Sequence, residues 1–193
     1  MTGWFRMRRV FPLIAAHLRD LGGDPVVWSA ACGTGEEPYS LAIMLEREGL
    51  ASRVLASDVD PDLVRFARRA RYSDESVADT EDDDLPRWLV PYGDRWRPGR
   101  AVRERVMFTV AELGVDGPPE GCAVVFARNV WRYLTAAGQD RAAAQIADTI
   151  GPAGRLVLGG ADIFDAQLRD AVPDAIRTRF RQTAEHSAIW QPA

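Results

Sequence analysis

The chain has 193 residues, of which 47% are apolar and 27% are charged, which is the balance of a globular protein with one domain's worth of core. It contains no lysine and has a net charge of −4, which argues against non-specific nucleic-acid binding because that needs a densely basic surface. Two cysteines far apart, Cys32 and Cys122, form neither a disulfide framework nor a metal site, so we expect a cytoplasmic protein with reduced thiols and no metal.

The predicted elements alternate between helix and strand along most of the chain. Apolar spacing predicts a helix over 8–21, too short to span a bilayer, and then a strand over 25–30 and a helix over 38–48. A strand over Arg53–Asp58 and a helix over 61–70 follow. Further along, we predict strands over Val106–Val110, 123–127 and 155–158, helices over 135–150 and 165–172, and a terminal strand pair within 178–191. This alternation predicts an α/β fold with a doubly wound, mostly parallel sheet.

Residues 72–105 interrupt the alternation. This stretch is acidic at first and then rich in Trp, Pro, Gly and Arg, without a clear helical or strand period. We interpret it as an inserted subdomain that contains a short helix and a few small strands. The whole chain, 1–193, is otherwise expected to form one domain.

A glycine-rich turn joins the first strand to the following helix and contains Gly33 and Gly35. Glycine allows a tight turn and a close approach of the backbone to a ligand, although such a turn alone fits a purely structural role equally well. Asp58 ends the second strand, where an acid can accept hydrogen bonds from both ribose hydroxyls. The alternative for Asp58 is an exposed turn or a helix cap. Together the two features indicate a nucleoside-bearing cofactor.

Glu36 and Glu37 follow the last glycine of the turn. Two carboxylates would repel a pyrophosphate, which normally occupies this helix N-terminus, whereas they would attract a sulfonium cofactor with a free ammonium group. This difference in charge favours S-adenosylmethionine over NAD or FAD. For one of the two acids, the alternative is that it only complements the helix dipole.

Five segments, in fitting order and spacing, resemble the motifs of CheR-type methyltransferases, which methylate glutamates of bacterial chemoreceptors. They are residues 2–6, 28–42, 56–60, 70–73 and 127–134. The resemblance implies a Rossmann-like class I methyltransferase fold with a small inserted β-subdomain, and S-adenosylmethionine as the cofactor, which leaves as S-adenosylhomocysteine.

The resemblance also implies roles for individual residues. Those expected to bind the cofactor are Thr2, Ala31, Gly33, Glu36, Asp58 and Asn129. Arg6 and Tyr133 are expected to be catalytic, because the counterpart of Arg6 lies at the cofactor and substrate site and the counterpart of Tyr133 lies near the reacting carboxylate. For Arg6 the alternative is a surface base, and for Tyr133 an ordinary aromatic residue on a helix face.

Several positions depart from the family pattern and leave the acceptor open. Ala31 and Gly33 replace the usual Gly and Ser, and Ala111 replaces an Asn that contacts adenine. We also expect this chain to lack a counterpart of the helical N-terminal domain of the family.

We expect the partner to be a carboxylate-bearing acceptor, and we expect no nucleic acid and no membrane insertion. Since a carboxylate is ionised at neutral pH, no strong general base is needed. Three hypotheses follow: a protein-glutamate methyltransferase, a small-molecule or peptide carboxyl or O-methyltransferase, and a catalytically weak cofactor-binding regulatory module.

Overall fold

The computed structural model describes residues 3–80, 82–117, 119–160 and 172–193. Within these residues seven strands form one sheet. They are β1 (Val26–Ala30), β2 (Arg53–Asp58), β5 (Val106–Val110), β6 (Cys122–Phe126), β7 (Arg155–Val157), β8 (Phe180–Gln182) and β9 (Ile189–Pro192). Their order across the sheet is β5-β2-β1-β6-β7-β9-β8. All neighbours from β5 to β7 are parallel, while β9 is antiparallel to both β7 and β8.

Helices cover both faces of the sheet, as expected for a doubly wound fold. They are α1 (Val10–Leu21), α2 (Glu36–Arg47), α3 (Pro61–Arg69), α6 (Ala136–Ile150) and α7 (Asp174–Arg177). Side chains of β1 alternate between two buried clusters: Val27 joins the cluster under α1, α2 and α3, and Trp28 joins the cluster under α6 and α7. This arrangement confirms the predicted fold class.

The predicted elements agree with the structure to within about two residues at most of their ends. Glycines mark two helix ends, since Gly22 closes α1 and Gly151 closes α6, both with positive φ. The helix predicted over 38–48 begins earlier, at Glu36. The helix predicted over 165–172 lies outside the described residues except for its last position, and α7 is a short helix that we did not predict.

The segment 72–105 forms the small elements that its composition predicts. It contains α4 (Asp74–Ala78), a 3₁₀ turn (Leu85–Trp88), β3 (Leu89–Tyr92), β4 (Arg95–Pro98) and α5 (Arg100–Glu104). Strands β3 and β4 pair with each other as a separate antiparallel sheet. Among the described residues, no helix is both long and apolar enough to cross a bilayer, and no cluster of residues has the composition of a metal site.

Candidate active site

A cleft of about 740 Å³ opens at the carboxyl ends of the parallel strands, which falls in the usual volume range for a small-molecule site. Chain order reverses direction at β1, because β2 and β5 lie on one side of it and β6 on the other. This reversal is the topological switch point, where doubly wound sheets bind ligands. The cleft is lined by Arg6, Ala31, Gly33, Asp58, Val59, Asp60, Leu63, Ala111, Glu112, Leu113, Arg128, Asn129, Val130, Arg132, Tyr133 and Leu134.

The turn between β1 and α2 brings backbone atoms to the cleft wall. Ala31 and Gly33 have left-handed conformations with φ of 58° and 56°, and both residues line the cleft. Gly35 has φ of 96°, and a Cβ atom on it would lie only 2.8 Å from Ala67 Cβ and 2.9 Å from Tyr72 Oη. The Tyr72 hydroxyl donates to the carbonyl oxygen of Thr34 at 2.9 Å, so the first residue of the inserted segment holds the turn in place.

Asp58 lies where the sequence predicts a ribose-binding acid. It is 7% exposed, lines the cleft, and accepts backbone N–H groups through both oxygens: Oδ2 from Gly33 at 2.8 Å and Oδ1 from Asp60 at 3.0 Å. A carboxylate has about four acceptor positions, so both oxygens retain capacity for ligand hydroxyls. The two backbone bonds fix the carboxylate before any ligand binds.

The two acids at the start of α2 both have partners inside the protein. The Thr34 hydroxyl donates to Glu36 Oε2 at 2.6 Å, and Glu36 is not among the described residues that line the cleft. Glu37 accepts from Ser29 Oγ at 2.7 Å and from Arg128 Nη1 at 2.9 Å. The sequence analysis expected Glu36 to bind the cofactor and left a helix-dipole role open for one of the two acids; in the structure, Glu36 and Glu37 both have hydrogen-bond partners within the protein.

Arg6 reaches the cleft from the N-terminal segment. Its neighbours Phe5 and Met7 have positive φ values of 48° and 61°, which are strained conformations for residues with side chains. The Phe5 N–H donates to Ser40 Oγ at 3.0 Å, which ties the segment to α2. Gly3 packs against the arginine, since a Cβ atom on Gly3 would lie 2.7 Å from Arg6 Nε. The remaining predicted residue of this segment, Thr2, lies outside the described residues.

Asn129 and Tyr133 both follow β6. Asn129 is left-handed, with φ of 60°, and sits so close to Gly159 that a Cβ atom there would lie 2.4 Å from Asn129 Oδ1. Tyr133 ends a 3₁₀ turn (Trp131–Tyr133) and is 81% exposed at the rim of the cleft. The buried Trp131 anchors this turn through its Nε1–H, which donates to the Ala127 carbonyl at 2.9 Å.

The acidic and basic side chains that line the cleft lie on opposite sides of strand β1. Asp58, Asp60 and Glu112 follow β2 and β5, on one side of β1. The arginines lie on the other side: Arg128 and Arg132 follow β6, and Arg6 lines a smaller adjoining pocket together with Arg128. The cleft is therefore acidic on one side and basic on the other.

Both cysteines are buried thiols, as expected. Burial raises the pKa of the Cys32 thiol far above its usual range, and the nearby carboxylates of Asp58 and Glu37 raise it further. Burial likewise raises the pKa of Cys122 to about 12. Neither sulfur is a thiolate nucleophile at neutral pH.

Arg128 and Tyr72 belong to the site although the sequence analysis gave neither of them a role. Each lies inside one of the five segments that resemble the family's motifs, Arg128 directly before Asn129 and Tyr72 at the start of the insertion. Their partners, Glu37 and Thr34, are 91 and 38 residues away in the chain, so no local pattern indicates these contacts.

Comparison with known proteins identifies the family. Residues 1–179 match the family model described as "CheR methyltransferase, SAM binding domain". A chemotaxis protein methyltransferase of Listeria innocua is 33% identical over 84% of this chain and 64% of its own length. One of Escherichia coli is 32% identical over 85% of this chain and 61% of its own length. The chain thus spans about six-tenths of the length of these curated relatives.

Solved structures show the same fold at low sequence identity. A TehB-like SAM-dependent methyltransferase from Corynebacterium glutamicum covers 92% of this chain and 84% of its own chain, with a TM-score of 0.53 and 17% identity. The PH0226 protein from Pyrococcus horikoshii covers 97% of this chain and 90% of its own, with a TM-score of 0.58 and 14% identity. At these identities the likeness concerns the fold alone.

Proposed function

The chain belongs to the CheR methyltransferase family and matches its S-adenosylmethionine-binding domain, and on this premise we propose that it methylates the side-chain carboxylate of a protein glutamate. The name of its relatives, chemotaxis protein methyltransferase, supports a signalling protein as the acceptor. The chain spans only about six-tenths of the length of those relatives, so the residues of the cleft must themselves indicate the acceptor.

One observation carries the proposal: the basic side of the cleft has fixed cations but no proton acceptor suited to neutral pH. The described residues on that side are Arg6, Arg128, Asn129, Val130, Arg132, Tyr133 and Leu134. Among them are no histidine, lysine or carboxylate. An amine or alcohol acceptor must lose a proton for net transfer, whereas a carboxylate is already ionised. An acceptor that is anionic and needs no deprotonation therefore fits this wall.

The cleft residues also fit the cofactor. When bound, S-adenosylmethionine supplies a methyl group on a sulfonium sulfur, and in-line displacement forms the new C–O bond while the electron pair of the broken S–C bond stays on sulfur. Asp58 is positioned by two backbone N–H groups to accept hydrogen bonds from the ribose hydroxyls. Ala31 and Gly33 let the turn approach the ligand closely.

Arg6 and Tyr133 orient the acceptor. Arg6 offers a planar set of N–H donors that matches a carboxylate, and the strained turn on either side of it fixes its position. Tyr133 at the rim offers one hydroxyl donor where an acceptor enters. Holding the oxygen in line with the methyl carbon is the main task of the protein, because no proton moves in the reaction.

The test uses S-adenosylmethionine with a tritiated methyl group and the cytoplasmic portion of a bacterial chemoreceptor as the acceptor. We expect label on the protein that mild base releases as methanol, since a carboxyl methyl ester is base-labile. Arg6→Ala should lower this transfer by about 10²–10³-fold, the range for loss of one preorganised donor, with S-adenosylhomocysteine still bound. Arg9→Ala removes an exposed base outside the cleft and should leave transfer unchanged.

Three results would contradict the proposal. Base-stable label on the protein would indicate another acceptor atom, and label only on an added small molecule would favour the small-molecule hypothesis. Tight S-adenosylhomocysteine binding without transfer to any acceptor would favour a regulatory module.

A further inference from the structure

Ser40 lies in α2 and is completely buried, and its hydroxyl makes two hydrogen bonds in different directions. The O–H donates to the carbonyl oxygen of Glu36 at 2.7 Å, one helical turn back. The oxygen also accepts the backbone N–H of Phe5 at 3.0 Å, 35 residues away in the chain. A bond to the carbonyl four residues back is a common local contact of serine in helices and needs no function. The bond to Phe5 is different, because it links α2 to another part of the chain.

The bond to Phe5 matters because the segment 4–7 holds an unfavourable backbone conformation. Phe5 and Met7, on either side of Arg6, both have positive φ, which residues with side chains adopt only where surrounding contacts impose it. The carbonyl of Met7 accepts the N–H of Val10 at 2.9 Å, at the start of α1. On the other side of Arg6, Ser40 holds the N–H of Phe5. Hydrogen bonds to backbone atoms therefore hold the segment on both sides of Arg6.

Aromatic contacts hold the same segment through its side chains. The ring of Trp4 packs edge-on against Tyr72 with centroids 4.8 Å apart, and the guanidinium of Arg47 lies 4.9 Å from the centre of the Phe5 ring. These contacts should keep the segment against the protein when the hydroxyl of Ser40 is removed. A ring acts through rotatable side-chain bonds, however, and does not fix a peptide plane. A variant without the hydroxyl should therefore keep the fold and lose the orientation of Arg6.

We propose that Ser40 is a positioning residue for methyl transfer, because its hydroxyl sets the orientation of Arg6 toward the acceptor carboxylate. The proposal rests on the acceptor role of Arg6 in the proposed function. Through its second bond, the same hydroxyl is tied to Glu36, the residue that follows the glycine-rich turn. One buried oxygen thereby joins the segment that carries Arg6 to the helix that follows the cofactor turn. In-line displacement needs such a link, since a misplacement of about 1 Å can lower the rate about 10²-fold.

Two ligands test the placement of Arg6 without any transfer of a methyl group. Both are analogues of S-adenosylhomocysteine in which a nitrogen atom replaces the sulfur and carries a short arm. In one analogue the arm is propionate, whose carboxylate takes the place of the acceptor, and in the other it is the uncharged propionamide of nearly the same shape. The nucleoside and amino-acid parts are identical. The ratio of the two dissociation constants therefore isolates the recognition of the carboxylate.

Calorimetry should show that the wild type binds the propionate analogue about 10- to 100-fold more tightly than the propionamide analogue, the range for a hydrogen bond to a charged group. Ser40→Ala should lower this ratio below about threefold, while its Kd for S-adenosylhomocysteine stays within about threefold of the wild type. Arg6→Ala should remove the preference. Adding Ser40→Ala to Arg6→Ala should then change the ratio no further, because the serine acts through the arginine.

Ser57→Ala is the matched control. Ser57 is also buried, and its oxygen accepts the Nε1–H of Trp28 at 2.9 Å, so this variant likewise loses a buried acceptor. Its melting temperature should fall about as much as that of Ser40→Ala, with the wild-type ratio retained. Ser40→Cys keeps the size of the side chain but offers a weaker acceptor. It should give an intermediate ratio, which tests the proposal also where Ser40→Ala is unstable.

A folded Ser40→Ala variant that keeps the wild-type preference would overturn the proposal and leave the acceptor role of Arg6 intact. An equal fall of the ratio in Ser57→Ala would overturn it as well, because it would indicate a general loss of packing. A wild type that binds both analogues equally would contradict the acceptor role of Arg6, and with it both the proposed function and the positioning role of Ser40.

Discussion

Replacing Asp58 with Asn tests the acidic side of the cleft. Both oxygens of Asp58 accept backbone N–H groups, Oδ2 from Gly33 and Oδ1 from Asp60. An asparagine amide has one oxygen and one NH₂ group, so in either orientation a donor faces a donor. The variant loses both its charge and one acceptor at the point where the ribose hydroxyls are expected.

The expected effect on binding follows from the strength of hydrogen bonds to charged groups. Such a bond contributes about 1.5–3 kcal/mol, which corresponds to about 10- to 150-fold in Kd. The misplaced amide should also lower the free energy of unfolding by about 1–3 kcal/mol, because Asp58 is buried and one backbone N–H loses its acceptor.

Asp60→Asn provides the matched control. Asp60 also lines the cleft, but its side chain accepts the Asp62 N–H at 2.8 Å as the N-cap of α3. Asparagine caps a helix as well as aspartate does, so we expect an unchanged melting temperature and a Kd for S-adenosylhomocysteine within about twofold of the wild type.

The assay is isothermal titration with S-adenosylhomocysteine, and circular dichroism verifies that each variant is folded. A folded Asp58→Asn variant that binds as tightly as Asp60→Asn would refute the assignment of Asp58 to the ribose. Equal weakening in both variants would indicate a general effect of negative charge rather than a specific contact.

Two further predictions concern Arg6 and the pH dependence of stability. Gly3→Ala places a methyl group 2.7 Å from Arg6 Nε and should lower methyl transfer toward the level of Arg6→Ala while S-adenosylhomocysteine still binds; Gly117→Ala, which meets nothing within 4 Å, should leave transfer unchanged. Burial, and next the charge of Arg155, lower the pKa of His17 in the folded protein. The unfolded chain therefore binds a proton at His17 more readily than the folded protein does. The free energy of unfolding should consequently fall as pH drops through about 6.5, the ordinary histidine pKa. Between pH 7.5 and pH 5.5, the melting temperature of His17→Gln should therefore fall less than that of the wild type. An equal fall in both proteins would contradict this role of His17.

The strands and the site's position could be predicted because their signals are local. The apolar run of β1, the glycines after it and the acid that ends β2 lie in continuous sequence, and parallel strands bring such ends to one edge of a sheet. The sequence alone was therefore enough to place Asp58 at this edge. Arg6 and Tyr133 were identified from motifs, and the structure brings both to the cleft wall.

The partners of the buried charges could not be predicted in the same way. Nothing near Glu37 in the sequence shows that a base 91 residues away pairs with it, because only packing brings β6 beside β1. The sequence does not predict the positive φ values of Phe5 and Met7 either, since neither residue type favours that conformation. The surrounding tertiary contacts impose it, and with it the position of Arg6.

The charge argument against a dinucleotide cofactor still holds, but the contacts of Glu36 and Glu37 reduce it from two carboxylates to one. The sequence attributed it to two carboxylates at the N-terminus of α2, where a pyrophosphate would lie. Arg128 compensates the charge of Glu37, so that residue no longer repels an anion. Glu36 is instead hydrogen-bonded by the neutral hydroxyl of Thr34, which orients its carboxylate without cancelling its charge. Because Glu36 is buried in the first turn of α2, water screens its negative charge weakly, and this charge opposes a pyrophosphate at that helix N-terminus.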